Sequence, residues 1–414
     1  MRRDIGWNLV PVVLLAGVGL GLNFAIGLWW SKDALGAFNQ VTIAFFAFAV
    51  VGALGLQFAV LRAIAEDPDD PDRVAAVVVG ALVPNVVLAA AATGAFVALH
   101  GAIGRLLDSE RVATGILWAA PGLFCFAVNK VLLGIVNGLR RMRAFAVYTS
   151  LRYILIAVGL VIARAAELAD DQLPVVWTFV EGSLLVVLVV ELAVTVRLRR
   201  GLAGWTTWAR MHLDYGVRGV TATLAFETTM KLDVWMLGVA MSDAQVGVYS
   251  MAAALYEGSM QLAVVLQTNV NPVLARALAE GRLDDVHALV RRTRRWFVPA
   301  LIGLCALGAA TYPVIIPWLM GHDYIGGALP FAIMMLGVAI ASPYLPFAQT
   351  LLMAARPGWH TVYLLGVLAV AFGLNLALIR PLGLVGAATA AAASTVVSAG
   401  LLALIVRRLV GVRL

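Results

Sequence analysis

Charge is what this chain has least of. Only 13% of its 414 residues are Asp, Glu, Lys or Arg, against roughly 25% in a soluble globular protein. Lysine occurs three times, at Lys32, Lys130 and Lys231, after Ser31, Asn129 and Met230. No Gly-Lys dipeptide therefore exists, which excludes a phosphate-cradling P-loop. The two cysteines, Cys125 and Cys305, both fall inside apolar runs and offer no disulfide framework. Five histidines (His100, His212, His287, His322 and His360) stand at or near loops without ligand spacing. They read as solvated loop residues, so neither a metal nor another cofactor is expected. The outer connections are short, at most about a dozen residues. That leaves no room for the folded acidic loop a membrane glycosyltransferase or polymerase needs, and the chain is not expected to be an enzyme.

What is present is apolar: 62% of the residues are hydrophobic. Runs of the length that crosses a bilayer, about 20 residues, follow one another at 9–29, 41–63, 74–99, 112–136, 145–163, 174–196, 216–240, 247–272, 296–319, 328–353, 360–379 and 385–406. Lipid supplies no hydrogen-bond partners, so each run satisfies its backbone only as a helix. The fold class is all-α, a polytopic membrane protein of twelve transmembrane helices. Met1-Arg2-Arg3 before an apolar run imitates a signal peptide. Leu9 to Trp30 is too long for one, and further spans follow, so it reads as a retained first helix.

The loops that share a side with both termini hold 21 of the 30 Lys and Arg residues, and the opposite loops hold 5. That bias places both termini in the cytoplasm, with a collar of arginine facing anionic lipid. The net charge of +7 needs no nucleic-acid partner. The longest polar link near the middle is Arg197 to Tyr215. Between Arg276 and Trp296, Leu283, Val286, Leu289 and Val290 recur at helical spacing before RRTRRW. This stretch reads as an amphipathic helix lying on the inner leaflet.

RAIAE at Arg62–Glu66 returns as RALAE at Arg276–Glu280, 214 positions later. DALGAF (Asp33–Phe38) is answered by DAQVGVY (Asp243–Tyr249), each read as an outer loop before an even-numbered span. Val147-Tyr148 and Val362-Tyr363 repeat at an offset of 215. The shared offset and topology indicate a duplication: a lobe over 1–200, a cytoplasmic linker over 201–215 and a second lobe over 216–414. Parallel repeats of this kind place a substrate site between the halves, near mid-membrane.

A charged group at a helix centre costs about 2.5–3.5 kcal/mol even on lenient scales, so those inside the spans need a reason. They are Lys130, Arg152, Glu181, Glu191, Arg218, Glu227, Lys231, Asp233 and Glu257. Glu227 and Lys231, four apart on one helical face, can pair with each other. Alternatively they line a wet cavity, and one is freed when substrate or a cation binds. Lys130 and Arg152 can snorkel to the headgroups or meet a phosphate arriving from the cytoplasmic leaflet, which arginine binds bidentately.

LDVWMLGVAMSDAQVGVYSMAAAL (Leu232–Leu255) resembles the span 7–8 signature of polysaccharide and O-antigen flippases. In that signature an Asp precedes an apolar run and then V-G-x-Y-x-x-A, here Asp233 and Val246, Gly247, Tyr249 and Ala252. Leu35–Gln57 and Pro381–Ser394 are similar to the same family at spans 2 and 12. The family belongs to the multidrug, oligosaccharidyl-lipid and polysaccharide exporter superfamily. The resemblance implies a monomer with two six-helix lobes around a central cavity in the inner membrane. It further implies flipping of a polyprenyl-diphosphate-linked oligosaccharide by alternating access. From their placement, Lys130, Arg152, Arg218 and Lys231 are the candidates to meet the diphosphate. Glu191, Glu227, Asp233 and Glu257 are the candidate cavity carboxylates, available to a coupling cation. The drug-exporting branch carries an acid in span 1, where this chain has Asn23. An ion-coupled exporter of small molecules is the alternative.

Overall fold

The computed structural model describes residues 17–412, apart from the side chains of 219–223, 225–227 and 230. Among the described residues every regular element is helical. In chain order these are α1 (Gly17–Trp29), α2 (Lys32–Ala53), α3 (Leu56–Glu66), α4 (Pro71–Ala98), α5 (His100–Leu106), α6 (Glu110–Gly138) and α7 (Met142–Ala165). They continue with α8 (Val175–Thr195), α9 (Trp205–Ala240), α10 (Asp243–Ala279), α11 (Leu283–Met320), α12 (Ala328–Ala341), α13 (Thr350–Met353) and α14 (Pro357–Val410). Nine described helical stretches are long and apolar enough to cross a membrane. The other three of the twelve expected spans fall on the following helices. The first is α1, whose expected start at residue 9 lies outside the described residues. The second is α9, which carries Glu227, Lys231 and Asp233 in its apolar stretch. The third is the second half of α14, which holds both of the last two spans on either side of Gly383 (φ 56°, ψ −129°), a backbone geometry only glycine takes without strain.

The chain divides into two compact units, Met1–Glu227 and Thr228–Leu414. In the first, α6 lies centrally, packed by α2, α3, α4 and α8; in the second, α12 packs on α14 and α11. The two units repeat a detail of packing. A Cβ on Gly122 of α6 would stand 2.7 Å from the Thr178 nitrogen of α8. A Cβ on Gly337 of α12 would stand 2.6 Å from the Ala392 Cα of α14. The glycines are 215 positions apart and their partners 214, the offset of the sequence repeats. The repeated RAIAE and RALAE also make the same i,i+4 ion pair, Arg62 Nε to Glu66 Oε1 at 3.1 Å and Arg276 Nε to Glu280 Oε1 at 2.9 Å.

Four expectations from the sequence need correction. Asp33–Phe38 and Asp243–Tyr249 are not loops but the first turns of α2 and α10. Ser31 Oγ accepts the Ala34 N–H (2.9 Å), and the Ser242 N–H donates to the Gln245 side chain (3.2 Å). Asp33 and Asp243 then favour the positive ends of their helix dipoles. The helix in span 2 accordingly begins nine residues before position 41 and is broken at Leu54–Gly55, both in the left-handed region. The stripe at Val286 and Val290 does not lie on lipid: α11 is continuous, and both valines pack with Val270, Leu274, Phe347 and Leu351.

The fourth correction concerns the connector and its histidine. After a short 3-10 turn (Leu198–Leu202), α9 begins at Trp205, so most of 201–215 is helix docked on α4. His212 is not solvated: it is 2% exposed, with Nε2 3.2 Å from the Val77 carbonyl. Its ring stacks on Trp208, over which the Arg73 guanidinium sits at 5.1 Å. Burial pushes the His212 pKa below its ordinary value, the carbonyl contact opposing this in part. His360, half-buried beside Tyr363, departs from the solvated reading as well.

Candidate functional site

The first unit gathers its intramembrane charges on three helices. Phe126, Asn129 and Lys130 stand at i, i+3 and i+4 on α6, a spacing that puts them on one face. Arg152 comes from α7, about 15 Å along the axis from Met142, and Glu181 from the second turn of α8. Glu181 is fully buried. Its Oε1 lies 2.8 Å from Arg152 Nε, and its Oε2 accepts from Arg152 Nη2 at 3.1 Å and from Asn129 Nδ2 at 2.9 Å. Asn129 also donates to the Glu181 backbone carbonyl at 2.9 Å, which fixes the carboxylate's stem. Arg152 therefore does not snorkel; its guanidinium is drawn to a buried acid, which would otherwise carry an uncompensated charge.

An aromatic wall supports this cluster. The Arg152 guanidinium and the Lys130 ammonium lie 4.9 and 5.2 Å from the same Phe126 ring, within the reach of cation–π attraction. Phe126 is itself held edge-on by Phe45 and Phe46 of α2, at 5.6 and 5.3 Å. Trp177 of α8 stacks on Phe45 and donates its indole N–H to Thr42 at 2.9 Å. Around this ring stand the cations Lys130 and Arg152, with the Glu181 carboxylate paired to Arg152. Such a grouping suits an anion.

Glu191, lower on α8, belongs to a separate group: it accepts from the Tyr148 hydroxyl at 2.8 Å and pairs with Arg141. Arg218 is exposed and pairs with Asp214 one turn back at 2.9 Å.

In the second unit, Lys231 Nζ meets Glu257 Oε1 of α10 at 2.5 Å, both half-exposed. The expected i,i+4 partner, Glu227, has its side chain outside the described residues. Asp233 accepts from the buried Tyr249 hydroxyl at 2.6 Å. Tyr256, one position before Glu257, shares a hydrogen bond with Thr395 of α14 at 3.0 Å. Asn23, the residue noted in span 1, accepts from Asn39 of α2 at 3.0 Å.

The charges here stand out in the sequence; most of their neutral partners do not. Phe126 and Asn129 carry a local signal in their helical spacing to Lys130, and Tyr249 stands in the V-G-x-Y run after Asp233. Tyr148 meets Glu191 from another helix, 43 residues away.

A family model described as polysaccharide biosynthesis protein matches residues 30–326. No curated protein matches the chain. Among solved structures it is similar to the lipid II flippase MurJ in an inward closed conformation, at 12% identity and a TM-score of 0.77, covering 98% of this chain and 88% of that one. It is similar too to an inward-facing multidrug resistance MATE family transporter of the MOP superfamily, at 14% identity and a TM-score of 0.76, covering 99% and 94%. A MOP superfamily transporter from Pyrococcus furiosus matches at 14% identity and a TM-score of 0.68, covering 99% and 96%. At such identities the likenesses show a shared transporter fold. With the family model spanning well over half of its length, this twelve-helix membrane chain belongs to the polysaccharide biosynthesis protein family.

Proposed function

We infer that this protein flips a polyprenyl-diphosphate-linked oligosaccharide from the cytoplasmic to the outer leaflet of the inner membrane by alternating access, for cell-surface polysaccharide synthesis. The observation that carries this reading is the Lys130–Arg152 pair on Phe126, two cations held among membrane helices with the Glu181 carboxylate beside them. A diphosphate is the part of such a lipid that bare hydrocarbon rejects, and arginine binds its oxygens bidentately while lysine adds a point charge. Arg218 and, in the second unit, Lys231 are further cationic positions to which a lipid diphosphate can bind. Both termini face the cytoplasm, as the arginine bias of the loops supports, and the chain works as a monomer.

The second reading, ion-coupled export of small molecules, is favoured by the carboxylates of the second unit, Asp233 and Glu257, and by the fold shared with a multidrug transporter. In the flippase Glu191, Glu227, Asp233 and Glu257 are each positions available to a coupling cation. Reconstitution into liposomes separates the two readings. A polyprenyl-diphosphate sugar added to one leaflet becomes accessible to a hydrolase on the other. No movement of any such lipid, together with gradient-driven export of a soluble cation, overturns the flippase.

A further inference from the structure

Glu181 is a puzzle for an anion site. A site meant to receive a diphosphate has at its centre a buried carboxylate that already occupies the arginine. We propose that Glu181 is a resident counter-anion, bound in the fork of Arg152 until two adjacent anionic oxygens of the incoming lipid diphosphate displace it. The proposal rests on the flippase reading and adds what selects its headgroup.

The geometry is that of a placeholder. Glu181 turns both oxygens toward Arg152: Oε2 accepts from Nη2 at 3.1 Å, while Oε1 lies 2.8 Å from Nε as an ion pair without an aligned hydrogen bond, so the two-point grip that arginine can offer phosphate oxygens is only half used. The Arg152 side chain is 15% exposed and that of Glu181 not at all, so of the two only Arg152 has surface that a ligand can touch. Asn129 donates to both the carboxylate and the backbone of Glu181, and keeps one hydrogen bond on the acid after Arg152 turns away. Lys130, on the same ring as Arg152, supplies the second positive charge for the newcomer.

Discrimination follows from this exchange. Taking Arg152 leaves a buried carboxylate without its cation, which is costly. A ligand must therefore give back more than Glu181 gave. A neutral lipid gives nothing, and a cationic solute is repelled by Lys130 and Arg152. A monophosphate gives one anionic group in place of another. A diphosphate brings two anionic groups, one to take the place of Glu181 and a second within reach of Lys130.

The test is equilibrium binding of undecaprenyl diphosphate and undecaprenyl phosphate to the full chain in nanodiscs. Wild type is compared with Glu181→Gln, Glu181→Asp, Arg152→Gln and Lys130→Gln, each checked for monodisperse elution. Glu181→Gln keeps the shape and the Asn129 contact but lacks the charge; Glu181→Asp keeps the charge but falls one methylene short of the fork. The expected result is that both Glu181 variants bind the diphosphate about tenfold tighter and narrow its margin over the monophosphate, while Arg152→Gln loses the diphosphate. If Glu181→Asp alone folds, its tighter binding by itself supports the counter-anion. Unchanged or weaker binding by the Glu181 variants, with loss in Arg152→Gln, overturns the counter-anion and leaves Glu181 as a residue that positions Arg152. Unchanged binding in both Arg152→Gln and Lys130→Gln, or no diphosphate binding by wild type, overturns the flippase site itself and the counter-anion with it.

Discussion

Arg152 Nε lies 2.8 Å from Glu181 Oε1, joining α7 to a carboxylate that no solvent touches. The pair ties α7 to α8 at a depth where each charge alone would be untenable. Removing one partner is therefore far worse than removing both. Arg152→Met is expected to destabilise the protein by about 3–5 kcal/mol, and Arg152→Met with Glu181→Leu by much less. Thermal unfolding in detergent of the two single variants and the double variant checks this; additive losses would mean the pair is not coupled.

Gly122 and Gly337 are predicted to be equivalent in energy as well as in place. A methyl at either meets backbone atoms under 3 Å away, and those atoms cannot yield as a flexible side chain would. Gly122→Ala and Gly337→Ala should each lower stability by about 1–3 kcal/mol. Gly303→Ala, where a Cβ meets nothing within 4 Å, is the control and should not lower the thermal midpoint, alanine being the better helix former.

The connector should loosen in acid. His212 is held neutral by burial, with its folded pKa below the ordinary 6.5. Above about 6.5 neither the folded nor the released form of the ring is protonated, and the contact keeps its full strength. As pH falls from there toward the lower folded value, the released form gains a proton first and docking weakens. Hydrogen exchange over 205–215, corrected for its intrinsic pH dependence, should rise faster below pH 6.5 than in the helices of the bundle. His212→Gln removes the proton-dependent part, so its corrected exchange should be flat with pH.

Lys231 and Glu257 are predicted to matter through their charge and not their packing, since both are half-exposed. Lys231→Ala should abolish lipid movement while the protein still folds. The double exchange Lys231→Glu with Glu257→Lys restores the pair but reverses its polarity. It should recover the thermal midpoint and not transport; recovered transport would make the pair a structural brace only.

Tyr249→Phe withdraws the hydroxyl that Asp233 accepts inside the bilayer. A buried carboxylate losing a donor costs about 1–3 kcal/mol. The expected outcome is a lower thermal midpoint in Tyr249→Phe than in Tyr256→Phe, whose hydroxyl meets another hydroxyl and not an acid.

Local features are legible in the chain alone. Arg62 and Glu66 stand four apart on a helix, so their ion pair needs no tertiary help, and Arg276 with Glu280 repeats it. At Lys231 the same rule is incomplete: helical spacing offers Glu227, whose side chain lies outside the described residues, and it could not offer Glu257, brought within 2.5 Å by a second helix. Spacing finds neighbours on one element and is blind to those across an interface. The stripe at Val286 and Val290 shows the same limit, because an apolar face looks alike whether lipid or protein covers it.

The sequence by itself determined the all-helical membrane fold, because bilayer-length apolar runs leave the backbone no other way to satisfy its hydrogen bonds. Its recurring offset of 214–215 residues is met again in the close helix contacts at Gly122 and Gly337. The tertiary structure decided which buried charge faces which. Arg152 and Glu181 are 29 residues apart and meet only because α7 and α8 pack against each other around Asn129 and Phe126. The interaction of two charges depends on distance and burial, and both are set when the helices come together.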